Sequence, residues 1–130
     1  MKELNDFLES MTFDFFGSGK HKINSAAFLA EKNTLFLDVR SHDEFASLSF
    51  TLKHHMPSLH IPIDEIPDRA NEIPKDALTG IFCSSAVRAT MVYTYLKIMD
   101  YPNVRILEGG YDGLTAELKP GKLLKKIKNK

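Results

Sequence analysis

One thiol, one guanidinium and a run of small residues form the segment of this 130-residue chain best suited to chemistry. Cys83, the only cysteine, is followed by Ser84, Ser85, Ala86 and Val87, and then by Arg88. The segment comes after the apolar run Leu78–Phe82 and before Ala89, Val92, Tyr93, Leu96 and Met99 at helical spacing, which predicts a strand-to-helix turn. Backbone N–H groups at a helix start point outward with partial positive charge, so they favour a thiolate over a thiol and hold anions. Small side chains let successive amides turn toward one centre as an anion-holding nest. Arg88 adds a permanent positive charge at the far end of the segment. The chemistry open to this set is nucleophilic: a thiolate attacks and the loop stabilises negative charge. A lone cysteine closing a buried strand is also compatible with inert packing, because cysteine is among the most buried residue types.

The elements that must position this loop follow from apolar patterning. Residues 34–39 are apolar on both faces, which suits a buried parallel strand, and residues 104–107 predict a third strand closed by Glu108-Gly109-Gly110. Ser41-His42-Asp43-Glu44 has the form of a capping box and predicts a helix through Phe45 and Ala46. Residues 47–62 lack periodicity and contain Pro57 and Pro62, so they read as a loop, and 64–71 and 111–118 read as short helices. Asn24 can cap a short helix reaching Glu31. Leu4, Phe7, Leu8, Met11 and Phe15 predict one amphipathic N-terminal helix, lying on the core or on a second subunit. The expected organisation is that helix with a Gly/Ser linker over 1–19, a domain over 20–118 and a Lys-rich tail over 119–130. Strands alternating with helices predict a parallel sheet covered on both sides.

Composition sets limits. With 43% hydrophobic residues the chain fits one α/β or α+β domain with its own core. The single cysteine excludes an intramolecular disulfide, and acids at 3, 6, 9 and 14 interrupt the first apolar residues, unlike a secretory signal. No apolar run approaches the ~20 residues needed to cross a bilayer. A reducing, cytoplasmic setting without membrane function is the expectation. All 17 acids precede residue 119, and residues 1–118 hold 11 bases against them, a net charge of −6. The remaining six lysines form a basic tail that reads as a solvated helix end, with nucleic acid an unlikely partner.

Three ordered segments carry a family resemblance: Leu37-Asp38-Val39-Arg40-Ser41-His42-Asp43-Glu44-Phe45, the six residues 83–88, and Asn103-Val104 with Leu107-Glu108-Gly109-Gly110-Tyr111-Asp112-Gly113. Together they resemble the signatures of the rhodanese family. The resemblance implies a doubly wound central parallel sheet of about five strands with helices on both faces. It also implies sulfur transfer in two displacements through a persulfide on Cys83, with no metal and no organic cofactor. The donor would be a small sulfane-sulfur compound such as thiosulfate, a persulfide or a polysulfide, and the acceptor a thiol or cyanide. In that reading the loop formed by Ser84, Ser85, Ala86, Val87 and Arg88 holds the persulfide anion, and Arg88 favours anionic donors. Asp38 braces the loop, while Arg40 and Glu44 pair near the helix start. The chain departs from the family at Ala86, where Gly is usual, and at Ser84, where many thiosulfate-using members carry a base. It also departs at Leu114, where Trp is usual, and in about six extra residues before His55-Met56-Pro57-Ser58-Leu59.

Other classes compete with this reading. Dual-specificity phosphatases of the cell cycle and related arsenate reductases place five residues between Cys and Arg, whereas four intervene here, a tighter nest suited to one sulfur atom. A non-catalytic binding module, or a carrier loaded with sulfur by a partner protein's persulfide, uses the same scaffold. The N-terminal helix and the lysine tail are then docking candidates, and the helix could support a homodimer. His42, His54, His55 and His60 suggest a metal, but adjacent histidines do not readily share a tetrahedral site.

Overall fold

The computed structural model describes residues 1–52 and 55–129. In chain order its elements are α1 (Lys2–Ser10), α2 (Phe13–Ser18), β1 (Lys22–Ile23), α3 (Ser25–Ala30), β2 (Thr34–Asp38), α4 (His42–Ser47), β3 (Ser58–His60), α5 (Ile66–Arg69), β4 (Leu78–Phe82), α6 (Val87–Ile98), β5 (Val104–Leu107), α7 (Gly110–Ala116) and α8 (Pro120–Lys128). The five strands form one sheet in the order β1-β5-β4-β2-β3, with every pairing parallel. The predicted α/β sheet of about five parallel strands is therefore present.

The two-sided apolar pattern of the central strands has a direct physical reading. Leu35, Leu37 and Val39 of the β2 segment join Ile81, Val104 and Ile106 in a cluster with Ala89, Val92 and Leu96 of α6 and Ile66 of α5. Phe36, Phe82 and Leu107 point the opposite way, into a second cluster with Phe28 and Leu29 of α3 and Leu114 of α7. Alternate residues of one strand thus feed two cores, so the sequence shows no polar face. β2 and β4 pair in register from Thr34 with Leu78 to Asp38 with Phe82, which leaves their carboxyl ends level.

Two expectations change. The N-terminal segment is two helices, because the chain leaves α1 at Met11 and Thr12 caps α2 through a bond from the Phe15 amide. Its apolar side lies on this chain's own α6, where the Phe7 ring sits 6.2 Å from that of Tyr93. Within the stretch read as a loop, Ser58–His60 forms an edge strand on β2. Such an edge needs hydrogen bonds on one side only, so flanking prolines are tolerated. The lysine tail is helix α8 as far as Lys128, with Lys122 and Lys126 held by Glu117 at 3.1 and 2.9 Å. Among the described residues no helix is long and apolar enough to cross a membrane.

Candidate active site at the end of β4

Cys83 follows the last residue of β4 and α6 begins at Val87, so the predicted strand-loop-helix placement is met. The thiol is 1% exposed and lies at the base of the loop. Its Sγ accepts a bond from the Ala89 amide at 3.3 Å, the first turn of α6 reaching back over the sulfur. Among the described residues the amides of Ser84, Ser85, Ala86, Val87 and Arg88 donate to no protein acceptor. Five successive backbone donors on the short loop after Cys83 are thus left without a protein acceptor, an arrangement that favours a bound anion.

The loop closes through Ala86, whose φ is 72°. This left-handed conformation favours glycine, and a Cβ there costs of the order of 1 kcal/mol. Replacing Ala86 with Gly should therefore stabilise the fold by about 1 kcal/mol, partly offset by unfolded-chain entropy. Urea unfolding of the two proteins side by side checks this.

Arg88 does not stand free at the loop's end. Its guanidinium forks onto Glu44, with Nη1 and Nη2 at 2.5 and 3.0 Å from the two carboxylate oxygens, and Nη2 also donates to Ser84 Oγ at 3.0 Å. Glu44 is the third residue of α4's capping box, whose hydroxyl and amide partners are both on Ser41. The expected Arg40–Glu44 pair is therefore replaced by Arg88–Glu44. It forms because α4 and α6 start from the level ends of adjacent strands β2 and β4. The bond from Arg88 holds the Glu44 carboxyl at about 2 instead of 4.5. A carboxylate depressed in the folded state stabilises above its unfolded pKa, and that contribution disappears as pH falls from 4.5 through about 2. Since Glu44 is 34% exposed, the contribution should be only about 1 kcal/mol. Glu44→Gln should cost about that much at pH 7 and nearly nothing near pH 2, read as a converging pair of acid-unfolding curves.

Arg40, also expected near the helix start, is fully buried. Its guanidinium binds both Asp38 oxygens, at 2.6 Å from Nη2 to Oδ2 and 2.9 Å from Nε to Oδ1, and Nη1 donates to the Tyr111 hydroxyl at 2.9 Å. It lies 5.4 Å from the ring centres of both Phe82 and Tyr111. Burial opposes the charge, but the bonds that Arg40 donates to Asp38 and Tyr111 outweigh it and hold the guanidinium pKa above its ordinary value. Asp38 is thus engaged with Arg40 and makes no direct bond to residues 83–88 among the described residues.

Tyr111 and Gly110, which sequence reasoning did not number among the site residues, complete the support. The Tyr111 amide lies 3.4 Å from the Ser84 carbonyl oxygen. Gly110 has φ 52°, and a Cβ on it would penetrate that same carbonyl. The Gly-Gly pair had been legible as a motif, but its contact with the Cys83 loop had not.

The histidines disperse. His60 donates to the Arg40 carbonyl at 2.8 Å and stacks on Phe45, His55 bonds the Leu29 carbonyl at 2.9 Å, and His42 pairs with Glu65. His54 lies outside the described residues.

A family model for the rhodanese-like domain matches residues 25–117. The chain belongs to the rhodanese-like domain family. A sulfurtransferase of Allochromatium vinosum is 33% identical to this rhodanese-like domain over 79 residues, 61% of this chain and 69% of that protein. A rhodanese-related protein of Thermoplasma volcanium superposes with a TM-score of 0.62 at 27% identity, covering 77% of this chain and 95% of that one. An NAD-dependent persulfide reductase of A. fulgidus superposes with a TM-score of 0.51 at 32% identity, covering 62% of this chain but 14% of that much longer one.

Proposed function

We propose that this rhodanese-like domain is a sulfurtransferase that carries sulfane sulfur as a persulfide on Cys83. Family membership and likeness to a sulfurtransferase support sulfur transfer in general. The observation that supports the finer reading is a buried Sγ followed directly by five amides that have no protein acceptor among the described residues. In the first step the Cys83 thiolate attacks the outer sulfur of the donor, forming Sγ–S while the donor's own S–S bond breaks and its electron pair leaves with the remainder, sulfite in the case of thiosulfate. The added sulfur, about 2.05 Å from Sγ, would carry its negative charge toward the loop amides. In the second step a thiolate or cyanide attacks that outer sulfur and the Cys83 thiolate departs.

The pairing of Arg88 with Glu44 bears on the donor. A guanidinium already matched by a carboxylate offers little net charge to a dianion such as thiosulfate. Ser84 supplies no charge in the adjoining position. A persulfide or polysulfide donor therefore suits the site better, in keeping with the persulfide chemistry named for the A. fulgidus relative. Glu44→Gln should accordingly lower KM for thiosulfate several-fold while changing that for polysulfide less, since freeing one charge favours the dianion.

Intact mass after exposure to thiosulfate or polysulfide tests the reading. The expected result is one added sulfur per chain, removed by cyanide as thiocyanate and absent from Cys83→Ser. A protein that stays unmodified with both donors would overturn it.

A further inference from the structure

The opposite end of the sheet holds a second recess. A cleft of about 630 Å³ opens at the amino ends of β2, β4 and β5, with Leu78 on its wall. Cys83, just past the far end of β4, lies five residues from Leu78, about 17 Å at the usual strand rise. That volume falls within the range of small-molecule sites. Part of the wall, Phe15, Ser18 and Lys20, comes from the N-terminal segment. This segment precedes the family-matched residues 25–117, so the cleft is completed by a part of the chain outside the family's common domain.

The lining is charged and unspent. Lys20, Lys32, Lys97 and Arg105 face the cleft, and among the described residues none of the four forms an ion pair. Lys97 and Arg105 reach only backbone carbonyls, at 3.5 and 3.4 Å. Tyr93, 3% exposed, lines the same cleft, and its hydroxyl makes no hydrogen bond among the described residues. The ring is buried, yet its hydroxyl is not one of the enclosed polar atoms that lack a partner, so the phenol end opens toward the cleft that Tyr93 lines. Burial pushes its pKa up, and the Arg105 charge acts against that shift, as expected for neighbours in one recess. Glu31 and Asp76 also line the cleft, which leaves it two positive charges in excess. Carboxylates beside cations reject a bare anion and accept one that carries its own hydroxyl or amino donors.

We infer that this cleft binds a sugar or nucleoside phosphate, its phosphate among Lys97, Arg105 and the Tyr93 hydroxyl and its hydroxyl or amino groups toward Glu31 and Asp76. The site is separate from the Cys83 loop and does not depend on the sulfur chemistry proposed above.

The test is a titration of the full isotope-labelled chain with AMP, inorganic phosphate and adenosine, followed by amide chemical shifts. AMP should bind with Kd on the order of 1 mM or tighter, more tightly than either inorganic phosphate or adenosine. The shifts should centre on Lys32, Asn33, Asn103 and Arg105, and be the same in Cys83→Ser. Arg105→Gln should weaken AMP binding about tenfold. Tyr93→Phe, which preserves the packing, should weaken it several-fold. No binding of AMP, shifts centred on residues 84–89, equal binding of adenosine or inorganic phosphate, or affinity untouched by both substitutions would each overturn the proposal.

Discussion

Gly110→Ala should cost about 3–4 kcal/mol of stability and reduce sulfur transfer ~100-fold, the largest combined loss expected from adding one methyl group to this fold. The methyl would meet the Ser84 carbonyl far inside contact distance and come within 3.3 Å of Ser85 Cα. Both obstacles are backbone, so no side chain can swing away. The positive φ of 52° at Gly110 adds the left-handed penalty. Relief requires the Cys83 loop to move, and with it the unpartnered amides of residues 84–88. Thermal unfolding should fall by about 10–15 °C, and sulfur loading should fall with it under conditions where the variant is still folded. Retained activity with lost stability would mean that the loop tolerates displacement.

The second large effect concerns Arg40. Arg40→Met should destabilise by about 3–5 kcal/mol, because it leaves the Asp38 carboxylate, 3% exposed, facing aromatic rings without its partner. The double replacement Asp38→Leu with Arg40→Met should recover most of that loss, since a buried ion pair contributes little net stability once both desolvation costs are counted. Urea unfolding of the two single variants and the double variant gives the coupling directly. A double variant no more stable than Arg40→Met would show that the Tyr111 bond and the surrounding rings, more than the charge pair, require the guanidinium.

The parts legible in the sequence were those fixed by local pattern. β2 and β4 announced themselves because residues feeding two cores leave no polar face, and Ser41-x-x-Glu44 and Asn24 marked their helix starts through bonds spanning three residues. Placing Cys83 between a strand and a helix needed nothing more. The misread parts depend on partners distant in the chain. Arg88 and Glu44 are 44 residues apart and meet only because β2 lies beside β4. Arg40 finds Tyr111 across 71 residues. The break between α1 and α2 did leave a local sign, Thr12 followed by Asp14, but the helical spacing of Leu8, Met11 and Phe15 runs through it and masked it. β3 was hidden by Pro57 and Pro62, which exclude a central strand but not an edge.

The solitary buried thiol has a kinetic consequence. On the proposed chemistry, these 130 residues offer no second thiol to attack a sulfurated Cys83, so its sulfur leaves to a nucleophile from outside them. Donor and acceptor must then visit the same small loop in turn. Initial rates measured over a grid of both concentrations should give parallel lines in double-reciprocal form, and an excess of either substrate should inhibit by occupying the form of the protein meant for the other.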